Sequence, residues 1–218
     1  MIRARAVAAL IVAIFAGAGV PSARAEIVPE GGILDFTVVR DGSDIGTHRL
    51  TFRRKDDRID VDVVTRIAVK VAFITVYRFD HDGHEAWQDG KLMSMETKTH
   101  DDGKDHLLKL VRNGDGSFHA TSDGKSIESD GSAVPASLWN PEFVKTGKLM
   151  NSLVGGPLKI AVAYKGEEAV KVHGKDIKAK HFSMTGEFER ELWYDDHWVL
   201  VHMELKGKDG SKVQYVLR

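Results

Sequence analysis

Hydrophobic and polar positions alternate with period two along most of the chain. Ile59, Val61 and Val63 alternate with Asp60 and Asp62. Leu50 and Phe52 alternate with Arg49, Thr51 and Arg53, and Val199, Val201, Met203 and Leu205 alternate with Leu200, His202, Glu204 and Lys206. Alternation with one polar face marks an antiparallel sheet that is wet on one side. Asp-Gly pairs at 41, 82, 89, 102, 115, 123, 130 and 209 punctuate these segments and supply the positive φ of tight hairpin turns. Strands are predicted near Ile33–Arg40, Gly46–Arg54, Ile59–Thr65, Val69–Phe79, Lys91–Thr99, His106–Arg112, Ser117–Thr121 and Lys125–Glu128. A second group follows near Leu158–Tyr164, Glu168–His173, Lys178–Thr185, Phe188–Tyr194, Trp198–Lys206 and Lys212–Leu217.

Between the groups, Ser132–Gly156 is irregular. It holds one short helix at Asn140–Thr146, with Asn140 as cap, Pro141 at the first turn and Gly147 as stop. One helix cannot cover so many strands. The expected fold is therefore all-β: a large curled antiparallel sheet, as an open barrel or half-barrel. Such a curl leaves an apolar concavity. Ile67–Tyr77 is apolar on both sides and reads as a central strand packed on both faces, or as one that lines a ligand cavity or partner surface.

Composition narrows the setting. The 218 residues carry 31 Lys+Arg against 32 Asp+Glu, which argues against nucleic acid as a partner. Arg3 and Arg5, the uncharged stretch Ala6–Gly19 and Ala23-Arg24-Ala25 read as a secretory signal peptide over 1–25, cleaved after Ala25. The single β domain, 26–218, would then carry 28 basic and 32 acidic residues, a net charge of −4. No segment after the leader is apolar over the length a bilayer requires. A periplasmic location is expected. The absence of Cys excludes disulfides, thiol catalysis and thiolate metal sites.

Candidate chemistry is sparse. If 77–87 is one strand, Tyr77, Phe79, His81, Gly83, Glu85 and Trp87 share a face. His81 and Glu85 could then act as an acid–base pair or orient a polar head group. If Asp82-Gly83 is a turn, the same residues fall on two strands. His81 with His84, and His100 with His106, lie among acids, but neither cluster matches a zinc motif, and surface turns explain both better. Trp139 and Trp193 either pack in the core or rim a pocket, and Phe73 marks the doubly apolar segment. No phosphate-cradling loop, dinucleotide fingerprint or nucleophile elbow occurs, so no cofactor, metal or catalytic residue is assigned.

Several segments together carry a resemblance. They are Arg40-Asp41-Gly42 with Ile45-Gly46-Thr47-His48, the run Ala72–Phe79, then His81, Glu85, Trp87 and Asp89-Gly90. Leu138-Trp139-Asn140-Pro141, His181-Phe182 with Thr185-Gly186, Leu192-Trp193-Tyr194-Asp195 and the ending Tyr215-Val216-Leu217 follow in order. The chain resembles an uncharacterised family of exported proteobacterial proteins, domain of unknown function 6134. The resemblance implies an exported all-β domain related to curled-sheet envelope proteins, with no established site residues. In the family a Gly-containing turn follows Trp-Tyr-Asp, whereas this chain has Asp196-His197-Trp198.

Three functions are consistent with these readings. The first is a carrier for an apolar small molecule such as a lipid or isoprenoid, bound near Phe73, Tyr77, Phe79, His81, Glu85, Trp87, Trp139 and Trp193. The second is an envelope interaction or scaffold protein without a small ligand. The third is an enzyme on a hydrophobic substrate using His81 and Glu85.

Overall fold

A computed structural model describes residues 27–127, 129, 131–207 and 209–218. The leader expected over 1–25 and its expected cleavage position lie outside these residues. Thirteen strands form one antiparallel sheet that does not close. Eight come from the first half: β1 (Ile33–Arg40), β2 (Ser43–Lys55), β3 (Arg58–Val71), β4 (Ile74–Gln88), β5 (Lys91–Asp101), β6 (Lys104–Arg112), β7 (Phe118–Ser122) and β8 (Lys125–Ile127). After the short strands β9 (Val134–Pro135), β10 (Leu149–Met150) and β11 (Pro157–Leu158) come β12 (Ile160–Val172), β13 (Lys175–Gly186), β14 (Arg190–Tyr194), β15 (Leu200–Lys206) and β16 (Lys212–Leu217).

Each half is a meander of neighbouring hairpins. The halves join where the last strand pairs with the first, Phe36 opposite Leu217 and Arg40 opposite Val213. The sheet therefore runs from β12 through β16, then β1 to β8. Its hairpins follow the Asp-Gly reading: Asp41-Gly42, Asp89-Gly90, Asp102-Gly103 and Asp123-Gly124 all place both residues at positive φ. Asp82-Gly83 differs, because β4 runs straight through it. At the turn after Trp193-Tyr194, Trp198 itself takes the left-handed conformation, with φ 63°. The Asp195 carboxylate holds that turn by accepting the His197 and Val199 N–H groups, so a glycine is not needed there.

The concave face of the sheet is filled by the connection between β8 and β12. It contains the three-stranded sheet β11-β10-β9 and helix α1 (Glu142–Thr146). Asn140 Oδ1 accepts the Glu142 N–H at 3.0 Å, and Gly147 ends the helix at φ 67°. Phe36, Leu50, Leu108, Leu110 and Leu192 from the sheet are fully buried with Phe143 and Leu149 from this connection. Burial on this scale contributes about 25 cal/mol per Å² of apolar surface and is the main stabilising term.

Two readings need correction. The strands expected at Leu158–Tyr164 and Glu168–His173 merge into one, β12 (Ile160–Val172), with an irregularity between Tyr164 and Gly166, while Leu158 ends β11 and His173 lies in the turn that follows. Ile67–Tyr77 is not a central strand. The chain reverses at Ala72-Phe73, both at positive φ, between β3 and β4. Residues 68–78 project as a two-stranded ribbon, since β2 pairs with β3 only as far as Ile67 and β5 pairs with β4 only from Phe79. Phe73 at its tip is 100% exposed. An apolar run gives no turn signal, so a reversal built from Ala and Phe is invisible to periodicity.

Close approach at Gly46 sets one sequence requirement. A Cβ there would lie 2.0 Å from the Arg66 carbonyl oxygen. Gly46→Ala should therefore lower stability by about 2–4 kcal/mol in urea unfolding, because β2 and β3 must part. Phe73→Ser should change stability by less than about 0.5 kcal/mol. An unchanged midpoint for Gly46→Ala would mean that the strands separate at no cost.

Candidate functional site

Because β4 is continuous, its odd-numbered side chains share the concave face. Tyr77, Phe79, His81, Gly83 and Glu85 line up along about 27 Å of strand, at roughly 3.4 Å per residue. Glu85 is 2% exposed. Its Oε2 accepts two indole N–H groups, from Trp87 at 2.9 Å and from Trp139 at 3.0 Å. The two indoles meet edge to face, with centroids 5.3 Å apart. Ser137 also bonds the Glu85 carboxyl, and burial nevertheless raises its pKa above the ordinary value. Trp139 and Ser137 belong to the inner connection, so Glu85 fastens that segment to the sheet. Tyr194 Oη donates to the Leu138 carbonyl at 2.7 Å, and Thr97 Oγ1 donates to the Ser152 carbonyl at 2.8 Å.

One level along the strands, four polar residues form a row across the sheet. His48 pairs with Thr65, Thr65 with His81, and His81 with Thr99. Each histidine bonds a threonine through Nδ1: His48 to Thr65 Oγ1 and His81 to Thr99 Oγ1, both at 2.7 Å. Burial pushes His48 down to about 3 and His81 to about 4, so both imidazoles are neutral near pH 7. Between this row and Glu85 stands Gly83, which projects no side chain. A Cβ there would lie 3.1 Å from His81 Nε2, so that nitrogen faces the space the glycine leaves open.

That space is part of a cavity of about 220 Å³. The sheet contributes His48, Val63, Thr65, Phe79, His81 and Glu85 to it. Met203 and Tyr215 close the far wall, with Phe188 and Arg190 from the edge of β14. The inner connection adds Ser137, Leu138, Ser152 and Leu158.

The expected site residues divide accordingly. Phe79, His81 and Glu85 line the cavity, and Trp87 and Trp139 support it through Glu85. Tyr77 lies just beyond, its hydroxyl donating to Asp101 at 2.9 Å. Phe73 is remote, at the ribbon tip. Trp193 is on the outer face, where it stacks on His181 at 4.3 Å and donates to Glu168. His81 and Glu85 are not hydrogen-bonded to each other; the first holds Thr99 and the second holds the indoles. The histidine–acid clusters form surface pairs, His100 with Asp105 and His84 with Asp62. Sequence reading missed His48, Thr65, Arg190 and Tyr215. Their signal was a polar group on the buried parity: His48 alternates with Leu50 and Phe52, and Arg190 with Leu192 and Tyr194.

Comparison with known proteins places this geometry. The family model for domain of unknown function 6134 matches residues 36–218. No curated protein matches the chain. The crystal structure of a beta-barrel-like protein of domain of unknown function 1849 from Brucella abortus superposes with a TM-score of 0.57 at 12% identity, covering 85% of this chain and 94% of that one. A Pseudomonas aeruginosa protein of the 1089 family of unknown function gives 0.41 at 12% identity, over 70% and 86%. The first supports a shared barrel-like fold.

Two predictions follow from the buried polar groups. Glu85→Ala leaves two indole N–H groups without an acceptor and should cost about 2–5 kcal/mol, with altered tryptophan near-ultraviolet dichroism. Glu85→Gln, which keeps an acceptor oxygen, should cost less, and equal losses would assign no role to the indole bonds. The histidines set an acid limit. Their folded pKa values lie below the unfolded 6.5, so their contribution is present above pH 6.5 and is lost as pH falls toward 4 and 3. Each should account for about 2 kcal/mol of lost stability between pH 7 and 5. Glu85 runs the other way, losing stability as pH rises from 4.5 through its raised value. His81→Gln should therefore shrink the fall between pH 7 and 5 by about 2 kcal/mol. An unchanged fall would show that His81 charges as readily in the fold as in the unfolded chain.

Proposed function

The chain belongs to the family described as domain of unknown function 6134, and we propose that it is a periplasmic carrier holding one small, partly apolar molecule inside its open sheet. The observation that supports this reading is the cavity between the sheet and its inner connection, with apolar walls at Val63, Phe79, Leu158, Phe188 and Met203 and polar groups at a few fixed points. Apolar walls interleaved with fixed polar groups suit a molecule that is itself part apolar and part polar. Size restricts the cargo. About 220 Å³ is below the roughly 300–1,000 Å³ of drug-sized sites. The cavity suits a compact molecule or one end of a longer chain, and a complete two-chain lipid exceeds it. The leader peptide expected over 1–25 supports export.

A second reading, an envelope interaction protein, draws on the ribbon, where Val71, Phe73, Ile74 and Val76 are exposed together. Native mass spectrometry of protein purified without detergent from a periplasmic extract separates the two. The carrier reading expects a stoichiometric adduct of small mass, released by organic solvent. A bare protein mass, with no uptake from envelope lipid extract, would overturn it in favour of the interaction protein.

A further inference from the structure

Arg190 is a cationic side chain of the cavity with no carboxylate beside it among the described residues. It opens β14 on the same parity as Leu192 and Tyr194, both fully buried, and so faces inward. Its guanidinium lies over the Phe188 ring at 4.0 Å, and Nη1 donates to the Glu189 carbonyl at 2.6 Å. These contacts fix the group without neutralising it. Among the described residues no carboxylate pairs with it. Glu191, next along the strand, points outward to His181 and Ser183. Glu187 accepts the Lys159 N–H, and Glu204 is engaged by His202, Lys212 and Gln214. Glu189 is exposed and offers Arg190 only its backbone oxygen. Glu85, the acid of the cavity, is held at the indole end, about 13 Å along β4 from His81. Desolvation pulls the Arg190 pKa down, as expected for a cation partly withdrawn from water with no carboxylate beside it.

A second polar group points the same way. Ser152 is 6% exposed, lines the same cavity, and its Oγ has no hydrogen-bond partner among the described residues. Its carbonyl is tied to Thr97, so the hydroxyl is positioned although it bonds nothing. A buried hydroxyl without a partner and a half-buried guanidinium without a carboxylate, among the described residues, form a site that asks for an anionic acceptor from outside.

We propose that the cavity recognises an acidic group on its ligand, a carboxylate or phosphate, with Arg190 as counter-ion and Ser152 as hydroxyl donor. The inference rests on the carrier reading and names its cargo class: a small amphiphile with an anionic head. The head accepts from Arg190 and Ser152, and the tail lies against Phe79, Leu158 and Met203. The two neutral histidines add hydrogen-bonding edges without adding charge.

Titration calorimetry of the mature protein with three probes tests it: decanoic acid, decyl phosphate and decanol. The acidic probes should bind at least tenfold more tightly than the alcohol, and the tighter of the two identifies the head group as carboxylate or phosphate. Arg190→Met should bring the acids down to the level of the alcohol and leave the alcohol unchanged. Ser152→Ala removes a hydroxyl that holds nothing in the protein, so it should fold normally and lose several-fold on the acids alone. If Arg190→Met fails to fold, the wild-type comparison of acid with alcohol and the Ser152→Ala titration still decide. Equal binding of acid and alcohol by the wild type would overturn the inference and leave the carrier reading intact. Binding of none of the three would overturn both.

Discussion

A single carboxylate oxygen holds the inside of this protein to its wall. Glu85 Oε2 takes one indole N–H from its own strand and one from Trp139, which lies on the connection crossing the concave face. An open sheet of thirteen strands needs such an attachment. Without closure, its apolar face is covered only if another segment stays inside, and the regular structure described in that segment is one short helix and three two-residue strands. Buried hydrogen bonds are worth little net when made, and much more when one partner is lost. The attachment thus specifies where the connection sits more than it stabilises the fold. The bonds of Tyr194 to Leu138 and Thr97 to Ser152 extend the same logic along the segment.

The cavity is a consequence of how the connection is held. It is pinned at Trp139 and at Ser152, and on the strand between Glu85 and His81 the wall carries a glycine. Packing that reaches native density elsewhere stops there, because neither side supplies a side chain to fill the gap. Polar groups that would be costly in a filled core are tolerated around it. Each histidine of the row is tied to a threonine through Nδ1, whereas among the described residues no carboxylate pairs with Arg190 and the Ser152 hydroxyl has no partner. That difference separates groups that serve the fold from groups left available to a ligand.

Much of the frame was legible in the chain. Period-two alternation located strand β1 at both ends, Asp-Gly pairs located six of the turns between neighbouring strands, and the helix announced itself through Asn140, Pro141 and Gly147. The shared face of Tyr77, Phe79, His81 and Glu85 was legible once the strand was taken as continuous. Other features had no local signal. The pairing of β16 with β1 joins the two ends of the described chain, which periodicity does not address. The reversal at Ala72-Phe73 looks like strand because its residues are apolar. Trp193 reads equally as core or as pocket rim; it is buried with Val172, Ala179 and Val201, on the face away from the cavity, and alternation between two apolar faces does not say which one lines the cavity. Ser152 lies in irregular chain, where parity has no meaning.

The central claim is that the space beside Gly83 is a binding site for an amphiphile and not a packing defect. A crystal structure of the mature protein grown with a decanoic acid brominated at its tail end addresses this directly, because bromine is located by its anomalous scattering. The expected result is a bromine peak inside the cavity, near Phe79 and Leu158, with the carboxylate density against Arg190. Bromine found only on the exposed ribbon around Phe73, with the cavity unchanged, would contradict it.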